Sequence, residues 1–283
     1  MMKKKYAIIG FPLTHSHSPL IHNYAFTKMG VNARYEKLEI HPATFEEQII
    51  KLKKDNYSGF NITIPFKEKI LKYIDHIDAE SKIVGAINTI SVRDNKWHGF
   101  NTDVAGFYAP LADLKRKLNR ILILGTGGAA RAVTFAAIKF IHPQKILIAG
   151  RSVQKADALR KQFIHLNKRI IFEIANLKNI NNKPDVFDLL VNATQVGMYP
   201  DSEKSPLSGK LNLDKNAIVY DLIYNPLKTK LLVNVKKDRT DLITINGIDM
   251  LIGQANASFY LWHGNHFDKE IVKKILLTYL ETD

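Results

Sequence analysis

The stretch ILILGTGGAAR, residues 121–131, decides the fold class of this chain of 283 residues. Four successive apolar residues predict a strand buried on both faces, and an alanine-rich helix follows the glycines directly. Glycine at Gly125 and Gly127 allows a tight turn and a close approach of the backbone to a pyrophosphate at the helix N-terminus. The spacing fits GxGxxA, a permitted variant of the dinucleotide-binding fingerprint. The stretch therefore predicts a Rossmann-like domain.

The next predicted strand, KILIAG (145–150), discriminates between two dinucleotides. A site for NAD usually ends this strand with an acidic residue that binds the adenosine ribose. This chain instead has Arg151 and Ser152, with Lys155 one helical turn further on. Two cations and a hydroxyl suit a 2′-phosphate, so the pattern favours NADP. The alternative is a helix capped by Ser152, with two solvated cations beside it.

Elsewhere the chain alternates short β-rich runs with longer helical patterns, which is typical of an α/β protein. The runs LLVNA (189–193) and AIVYDL (217–222) extend the predicted parallel sheet. A Lys-rich helix at 104–119 separates this region from an earlier one, and a helical segment at 249–280 is long enough to return to it. In the first region we expect strands at 6–10, 34–40, 59–62 and 86–92, a hairpin at Asp94-Asn95 leading into 96–100, and helices at 19–29, 43–53 and 66–74.

Composition excludes several classes of protein. The absence of cysteine excludes a disulfide scaffold, a thiol nucleophile and a Cys-zinc site. No window offers eighteen uncharged apolar residues, so no membrane-spanning helix is expected, and the basic N-terminus is interpreted as the first strand of a cytoplasmic protein. The net charge of +14 is spread in small groups among acidic residues. It predicts a Lys-rich surface that favours anionic small molecules, without a nucleic-acid site.

Polar clusters follow the predicted strands of the first region, where ligands of open α/β sheets bind. Each has a structural alternative: Ser18 before Pro19 suits a helix N-cap, Lys67 a surface lysine, and Asp103 a helix cap. Together they predict a pocket rich in hydroxyls and amides, with one lysine and one carboxylate. The clusters are LTHSHSP (13–19), NITIPFK (61–67), GAINT (85–89) and NTD (101–103).

With these residues in view, the chain resembles the shikimate dehydrogenases. The matching motifs are HSHSP, NITIPFK, GAINT, NTD, GTGGAAR, NATQVGM, YDLIYNP and NGIDMLIGQA. They occur in the family's order from Tyr6 to about Leu261, and many motifs in register are more specific than any one. The resemblance implies an NADP-dependent oxidoreductase that reduces 3-dehydroshikimate to shikimate in aromatic amino-acid biosynthesis, without a metal.

The resemblance also implies roles for individual residues. Ser16 and Ser18 would hold the substrate carboxylate, with Tyr224 at the same end of the ring. Lys67 would be the catalytic lysine, and Asp103 would orient the reacting hydroxyl and hold Lys67 in place. The ring hydroxyls would be bound by Thr63, Asn88, Asp103 and Gln254. The cofactor would be bound by Gly125, Thr126, Gly127, Gly128, Ala129, Arg151, Ser152 and Lys155, with Thr194, Ile223 and Gly247 on the nicotinamide side.

Three places depart from the family's pattern: Gly150, Gln195-Val196 after Thr194, where a serine is more usual, and Ala79, where some relatives have an acidic residue near the cofactor. Gly150 stands where many relatives have asparagine, which predicts weaker contacts on the adenosine side.

We therefore predict two α/β domains. Residues 1–103 and 249–283 form the substrate-binding, catalytic domain, to which the C-terminal helices return, and residues 104–248 form the Rossmann-like NADP domain. We expect a monomer or homodimer with a small-molecule substrate and no nucleic-acid or membrane partner. Two alternatives stay open: a quinate/shikimate dehydrogenase with broader substrate and NAD use, and a non-catalytic NADP-binding regulator associated with nucleic acid.

Overall fold

The computed structural model describes residues 3–114, 116–182 and 184–282. Its contacts divide the chain into two units: unit 1 contains the residues up to Gly106 and from Ile252 onward, and unit 2 is Phe107–Leu251. The predicted boundaries, after residue 103 and before residue 249, are close to this division. The assignment of substrate and cofactor to separate domains stays a prediction.

The strands are β1 (Lys4–Gly10), β2 (Ala33–Glu39), β3 (Gly59–Ile62), β4 (His76–Ile77), β5 (Thr89–Arg93), β6 (Lys96–Phe100), β7 (Arg120–Leu124), β8 (Lys145–Gly150), β9 (Ile171–Asn176), β10 (Phe187–Asn192), β11 (Leu213–Asp221) and β12 (Ile243–Ile245). The helices are α1 (Ser18–Lys28), α2 (Phe45–Leu52), α3 (Ala79–Val84), α4 (Asp103–Tyr108), α5 (Gly128–Ala136), α6 (Val153–Phe163), α7 (Lys230–Asp238), α8 (Ile248–His263) and α9 (Lys269–Thr282).

Unit 1 contains a mixed sheet in the order β2-β1-β3-β5-β6-β4. The strand β1 pairs in parallel with β2 and β3, whereas β5 runs antiparallel to both β3 and β6. The predicted hairpin is present, and Asp94 and Asn95 both have positive φ, 51° and 57°. That conformation suits a two-residue turn between twisted strands. One side of the core centres on stacked rings of Phe45 and Phe66, 4.1 Å apart.

Unit 2 contains a sheet in the order β12-β11-β10-β7-β8-β9, in which every pairing is parallel. This is the strand order of doubly wound dinucleotide-binding folds. The apolar runs that predict β7, β8 and β10 are fully buried, because helices cover both faces of such a sheet.

Three predicted helices differ from the structure. The expected helix at 104–119 ends at Tyr108, because Pro110 has no N–H to continue the ladder, and Lys115 lies outside the described residues. The expected helix at 66–74 is only a 3₁₀ turn at Lys69–Tyr73, since the Lys67 carbonyl accepts a hydrogen bond from Ile87. The segment 249–280 is broken at Gly264, whose φ of +75° ends α8.

Candidate active site

The predicted substrate residues of unit 1 lie at one edge of its sheet. Ser16 follows the end of β1, Thr63 and Lys67 follow the end of β3, and Asp103 follows the end of β6. The strand β5 begins only at Thr89, not at residue 86 as predicted, so the cluster GAINT precedes this strand. Because β5 is antiparallel, its beginning lies at the same edge, and this places Asn88 with the others.

Lys67 and Asp103 form an ion pair with 2.5 Å between Nζ and Oδ2. The side chains are 15% and 5% exposed, so water screens their attraction poorly. Hydrogen bonds fix the backbone at both Lys67 and Asp103. Ile87 N–H donates to the Lys67 carbonyl at 2.8 Å, and Asp103 N–H donates to Asn101 Oδ1 at 3.1 Å. The pair is therefore a held ammonium–carboxylate unit.

Asn88 lies beside this pair and is only 2% exposed. Its Nδ2 donates to Asp103 Oδ1 at 2.8 Å and lies 3.4 Å from Gln254 Oε1 on α8. Its Oδ1 accepts the Thr102 N–H at 2.7 Å, which fixes the orientation of the amide. Four of the predicted substrate residues, Lys67, Asn88, Asp103 and Gln254, are thus joined by direct contacts.

The two predicted carboxylate-binding serines lie together, with 3.5 Å between Ser16 Oγ and Ser18 Oγ. Ser18 is the first residue of α1, and His17 precedes it as the N-cap without a side-chain capping bond. The structural alternative for Ser18 is therefore wrong, because a residue inside the helix cannot act as its N-cap.

Two charged residues of β2, which sequence reasoning missed, hold the loop that carries Ser16. Glu39 Oε2 accepts the Leu13 N–H at 2.6 Å, and Lys37 Nζ donates to the Thr14 carbonyl at 2.8 Å. Their signal in the sequence is weak, because charged residues on an edge strand are common.

The predicted cofactor residues of unit 2 follow the carboxyl ends of five parallel strands. Gly125 follows β7, Arg151 follows β8, Thr194 follows β10, Ile223 follows β11 and Gly247 follows β12. The remaining predicted partner of the substrate, Tyr224, is half-buried and follows β11 as well. Ligands of doubly wound sheets bind at this edge.

The glycine loop fits a pyrophosphate. Gly125 has φ +118°, and a β-carbon there would lie 2.9 Å from the Ala193 carbonyl oxygen, so only glycine suits the position. A β-carbon on Gly127 would instead project into open space. Gly127 is also the N-cap of α5 and supplies no capping side chain, so the first N–H groups of α5 have no side-chain cap and suit an anion.

Ser152 caps α6, because its Oγ accepts the Lys155 N–H at 3.2 Å. This is the alternative stated for the sequence, and it leaves the exposed side chains of Arg151 and Lys155 at the same helix N-terminus. Asn176, at the end of β9, lies 3.4 Å from the Arg151 carbonyl. The side chains present therefore fit a phosphate group beyond β8.

A buried carboxylate, missed in the sequence, holds the loops of Thr194 and Ile223. Asp221 Oδ1 accepts from Asn192 Nδ2 at 2.9 Å and from Ile223 N–H at 3.1 Å, and Oδ2 accepts from Thr229 at 2.7 Å. Asn192 Oδ1 in turn accepts the Thr194 hydroxyl at 2.7 Å. Burial raises the pKa of Asp221 to about 6, and the hydrogen bonds from Thr229, Ile223 and Asn192 oppose this shift.

Gly247 packs on the same loop. Its N–H donates to the Ile223 carbonyl at 2.9 Å, and a β-carbon at this position would collide with the Leu222 carbonyl oxygen.

Within residues 3–114, 116–182 and 184–282, no helix combines the length and hydropathy needed to cross a membrane. The same part of the chain holds no group of three or more His, Cys, Asp or Glu side chains arranged to bind a metal ion. His17, in the first polar cluster, packs its ring 5.4 Å from that of Tyr279.

Known proteins are similar to this chain over nearly its whole length. The family model described as shikimate dehydrogenase substrate binding domain matches residues 8–90. The shikimate dehydrogenase (NADP(+)) of Methanocaldococcus jannaschii is 39% identical over 277 residues, which cover 97% of this chain and 96% of that protein.

Two solved structures extend the similarity to three dimensions. A shikimate dehydrogenase in complex with NADP⁺ has a TM-score of 0.86 at 36% identity and covers 98% of this chain and 96% of its own. The Thermus thermophilus enzyme in complex with NADP(H) and shikimate has a TM-score of 0.82 at 30% identity, with 96% and 97% covered. The predicted two-domain α/β class with a Rossmann-like part is confirmed. The resemblance seen in the sequence is confirmed as well, and this chain belongs to the shikimate dehydrogenase family.

Proposed function

We infer that this chain catalyses the reversible NADPH-dependent reduction of 3-dehydroshikimate to shikimate. Its relatives carry the name shikimate dehydrogenase (NADP(+)) over nearly the whole chain. The single observation that carries the chemistry is the Lys67–Asp103 pair, because carbonyl reduction needs a positioned proton donor.

We assign substrate binding mainly to unit 1. The hydroxyls of Ser16 and Ser18 would donate to the substrate carboxylate, with Tyr224 at the same end. The amide and carboxylate groups around Lys67 would bind the ring hydroxyls, since each hydroxyl can both donate and accept. These groups are Thr63, Asn88, Asp103 and Gln254.

We assign NADP binding to the strand ends of unit 2. The first turn of α5 would hold the pyrophosphate through backbone N–H groups, because these amides have no partner within the helix. Arg151 and Lys155 would bind the 2′-phosphate, and Thr194, Ile223 and Gly247 would line the nicotinamide side. When bound, NADPH supplies a hydride to the ring ketone.

Lys67 then performs the proton chemistry. As charge develops on the ketone oxygen, the ammonium stabilises it and donates a proton to form the alcohol. Asp103 keeps Nζ in place and accepts a hydrogen bond from the same hydroxyl. In the reverse direction the neutral amine of Lys67 accepts the hydroxyl proton, and bound NADP⁺ would take up the hydride from the ring carbon.

We further propose that the enzyme acts in the cytoplasm as a monomer or homodimer, without nucleic-acid or membrane partners. In support, the basic and apolar N-terminal stretch forms the strand β1, whose residues from Tyr6 to Gly10 are buried in the sheet. Light scattering on the purified chain tests the assembly.

The decisive experiment follows cofactor reduction by absorbance, with shikimate or quinate paired with NADP or NAD. Turnover restricted to shikimate and NADP is the expected result. Turnover of quinate, or comparable rates with NAD, would assign the broader quinate/shikimate activity to the same pair of residues. Absence of turnover in all four pairs, with salt-sensitive binding of DNA or RNA, would favour the non-catalytic regulator.

A further inference from the structure

Ser258 is a buried polar residue on α8, one turn after Gln254. It is 0% exposed, and so are Ala255, three residues earlier, and Phe259, the next residue. Its hydroxyl lies 2.9 Å from the Gln254 carbonyl oxygen. Because a carbonyl can only accept, the hydroxyl proton of Ser258 is committed there. Its oxygen is then an acceptor for other groups.

Three polar side chains of unit 1 lie within hydrogen-bond distance of this oxygen. Asn61 Nδ2 lies 3.0 Å from Ser258 Oγ, the hydroxyl of Thr89 lies at 2.8 Å and the hydroxyl of Thr102 lies at 3.2 Å. Asn61 belongs to β3, Thr89 begins β5, and Thr102 precedes α4. One side-chain oxygen therefore joins the helix of Gln254 to two strands of the sheet and to the segment that precedes α4.

The same threonines hold the Asn88 side chain. Thr102 hydroxyl and Thr89 hydroxyl lie 3.1 Å apart, and the Thr89 hydroxyl is also 3.1 Å from Asn88 Oδ1. Asn88 Nδ2 donates to Thr102 Oγ1 at 2.9 Å as well as to Asp103. A consistent set of donors runs from Asn88 through Thr102 and Thr89 to Ser258 and ends at the Gln254 carbonyl.

A serine within a helix often bonds the carbonyl four residues earlier and has no further role. The three additional partners outside α8 distinguish Ser258 from that case, since a local bond requires none of them. Asn61 adds to the linkage, because its Oδ1 accepts the Tyr35 hydroxyl at 2.7 Å. The network is buried throughout, so water cannot replace a lost member easily.

We propose that Ser258 is a positioning residue for the reaction. Its oxygen fixes the distance between Gln254 on α8 and Asn88 on the sheet, and through Asn88 it fixes the carboxylate of Asp103. This proposal rests on the proposed function, because the reacting hydroxyl is the group that Asp103 and Gln254 would bind.

The test compares Ser258→Ala with Ser91→Ala, which removes another buried hydroxyl, on β5 but outside the network. For Ser258→Ala we expect kcat for shikimate oxidation to fall about tenfold and KM for shikimate to rise several-fold. KM for NADP should stay unchanged, because the proposed NADP residues belong to unit 2. Deuterium at the carbon that loses hydride should give a larger isotope effect than in the wild-type enzyme, since chemistry then limits the rate.

A purely structural role would lower the amount of folded enzyme and leave both KM values and the isotope effect unchanged. Thr89→Val, which removes a donor to Ser258, provides a second route to the same linkage. The double variant should lose less than the product of the two single losses, because both break one network.

Kinetics of Ser258→Ala within twofold of wild type, or full additivity with Thr89→Val, would overturn the positioning role while leaving the proposed function intact. If Ser258→Ala does not fold, Thr89→Val takes its place in the test. The same changes in kcat, in KM for shikimate and in the isotope effect are then expected of Thr89→Val. Absence of shikimate turnover by the wild-type enzyme would instead overturn the proposed function and the positioning role with it.

Discussion

The side-chain methyl group of Thr126 occupies the space that a β-carbon on Gly150 would need, 2.7 Å from the ideal position of that carbon. The glycine loop after β7 therefore packs directly against the end of β8. Gly150 is required here by the neighbouring threonine rather than by its own backbone conformation.

Gly150→Ala should therefore displace Thr126 and weaken NADPH binding by about tenfold, a loss typical of overpacking. Adding Thr126→Ser removes the obstructing methyl group and should recover most of the affinity. Fluorescence titration with NADPH measures both variants. Equal NADPH affinities for Gly150→Ala and the double variant would show that the contact between residue 150 and the Thr126 methyl group does not cause the loss of NADPH binding.

Removal of the proposed proton donor gives a second prediction. Lys67→Ala should lower kcat by about 10²- to 10⁴-fold while KM for shikimate changes little, because the loss falls on the transition state. Steady-state kinetics measure this, and Lys69→Ala, at an exposed lysine two residues away, is the matched control. An effect confined to KM would contradict the role of general acid.

Cofactor preference gives a third prediction. Arg151→Ala should raise KM for NADP by about 10- to 100-fold, the loss expected for charged hydrogen bonds to a phosphate, and leave KM for NAD nearly unchanged. Arg169→Ala removes the same charge from another exposed site in unit 2 and controls for net charge. Equal losses for both cofactors would place the 2′-phosphate elsewhere.

The buried carboxylate of Asp221 gives a prediction about stability. Its pKa is about 6 in the fold against 3.8 as the ordinary value, so the folded state holds the proton more tightly than the unfolded chain. The resulting stabilisation is present below pH 3.8 and is lost as pH rises through 6, by about 3 kcal/mol. The wild-type protein should therefore lose about this much free energy of unfolding, relative to Asp221→Asn, between pH 4 and 7.

Urea unfolding at several pH values measures this difference. Asp201→Asn, at an exposed carboxylate, should show no comparable change with pH. A constant difference between wild type and Asp221→Asn would mean that Asp221 is ionised in the fold at all these pH values.

His22 should lower the stability of the fold as pH falls, whereas Asp221 lowers it as pH rises. His22 is fully buried and stacks on Tyr35 with 4.5 Å between ring centroids. Burial, together with the charge of His263, lowers the pKa of His22 from 6.5 to about 3. The stabilisation is present above pH 6.5 and is lost as pH falls toward 3, on the order of 3 kcal/mol by pH 4.

His22→Phe keeps an aromatic ring against Tyr35 and should reduce this loss in acid. Thermal unfolding between pH 4 and 7 measures it, with His165→Gln at an exposed position as the control. The same acid dependence in both variants would show that another group is responsible.

The elements that could be predicted from the sequence are those with local signals. The run 121–131 contains strand, turn and helix within eleven residues, and the turn residues Asp94 and Asn95 adopt the conformation expected of them. The prediction of a helix at 104–119 was wrong, because the helical pattern in the sequence continues beyond Pro110 although the helix does not. The helix α3 was not predicted. The side chain of Asp78 caps it and is a local signal, but the helix has only six residues.

The site was predictable only in part. Residues in shared motifs, such as Lys67 and Asp103, are identified through the resemblance, although they lie 36 positions apart. Ser258 contacts Asn61 across 197 positions, and a serine within the apolar helix α8 gives no sign of such a partner. Asp221 ends an apolar strand, and its role emerges only where three loops meet. Long-range polar contacts of this kind depend on tertiary packing, which local patterns do not encode.

The division of unit 1 into two separated segments has a consequence for biosynthesis. A ribosome makes Phe107–Leu251 as one uninterrupted segment, so unit 2 is complete before Gln254 and Ser258 have been added. Until then Asn61, Thr89 and Thr102 lack their common partner Ser258, although they were synthesised first. The buried polar network of the N-terminal sheet can therefore be completed only after the last helices have been made.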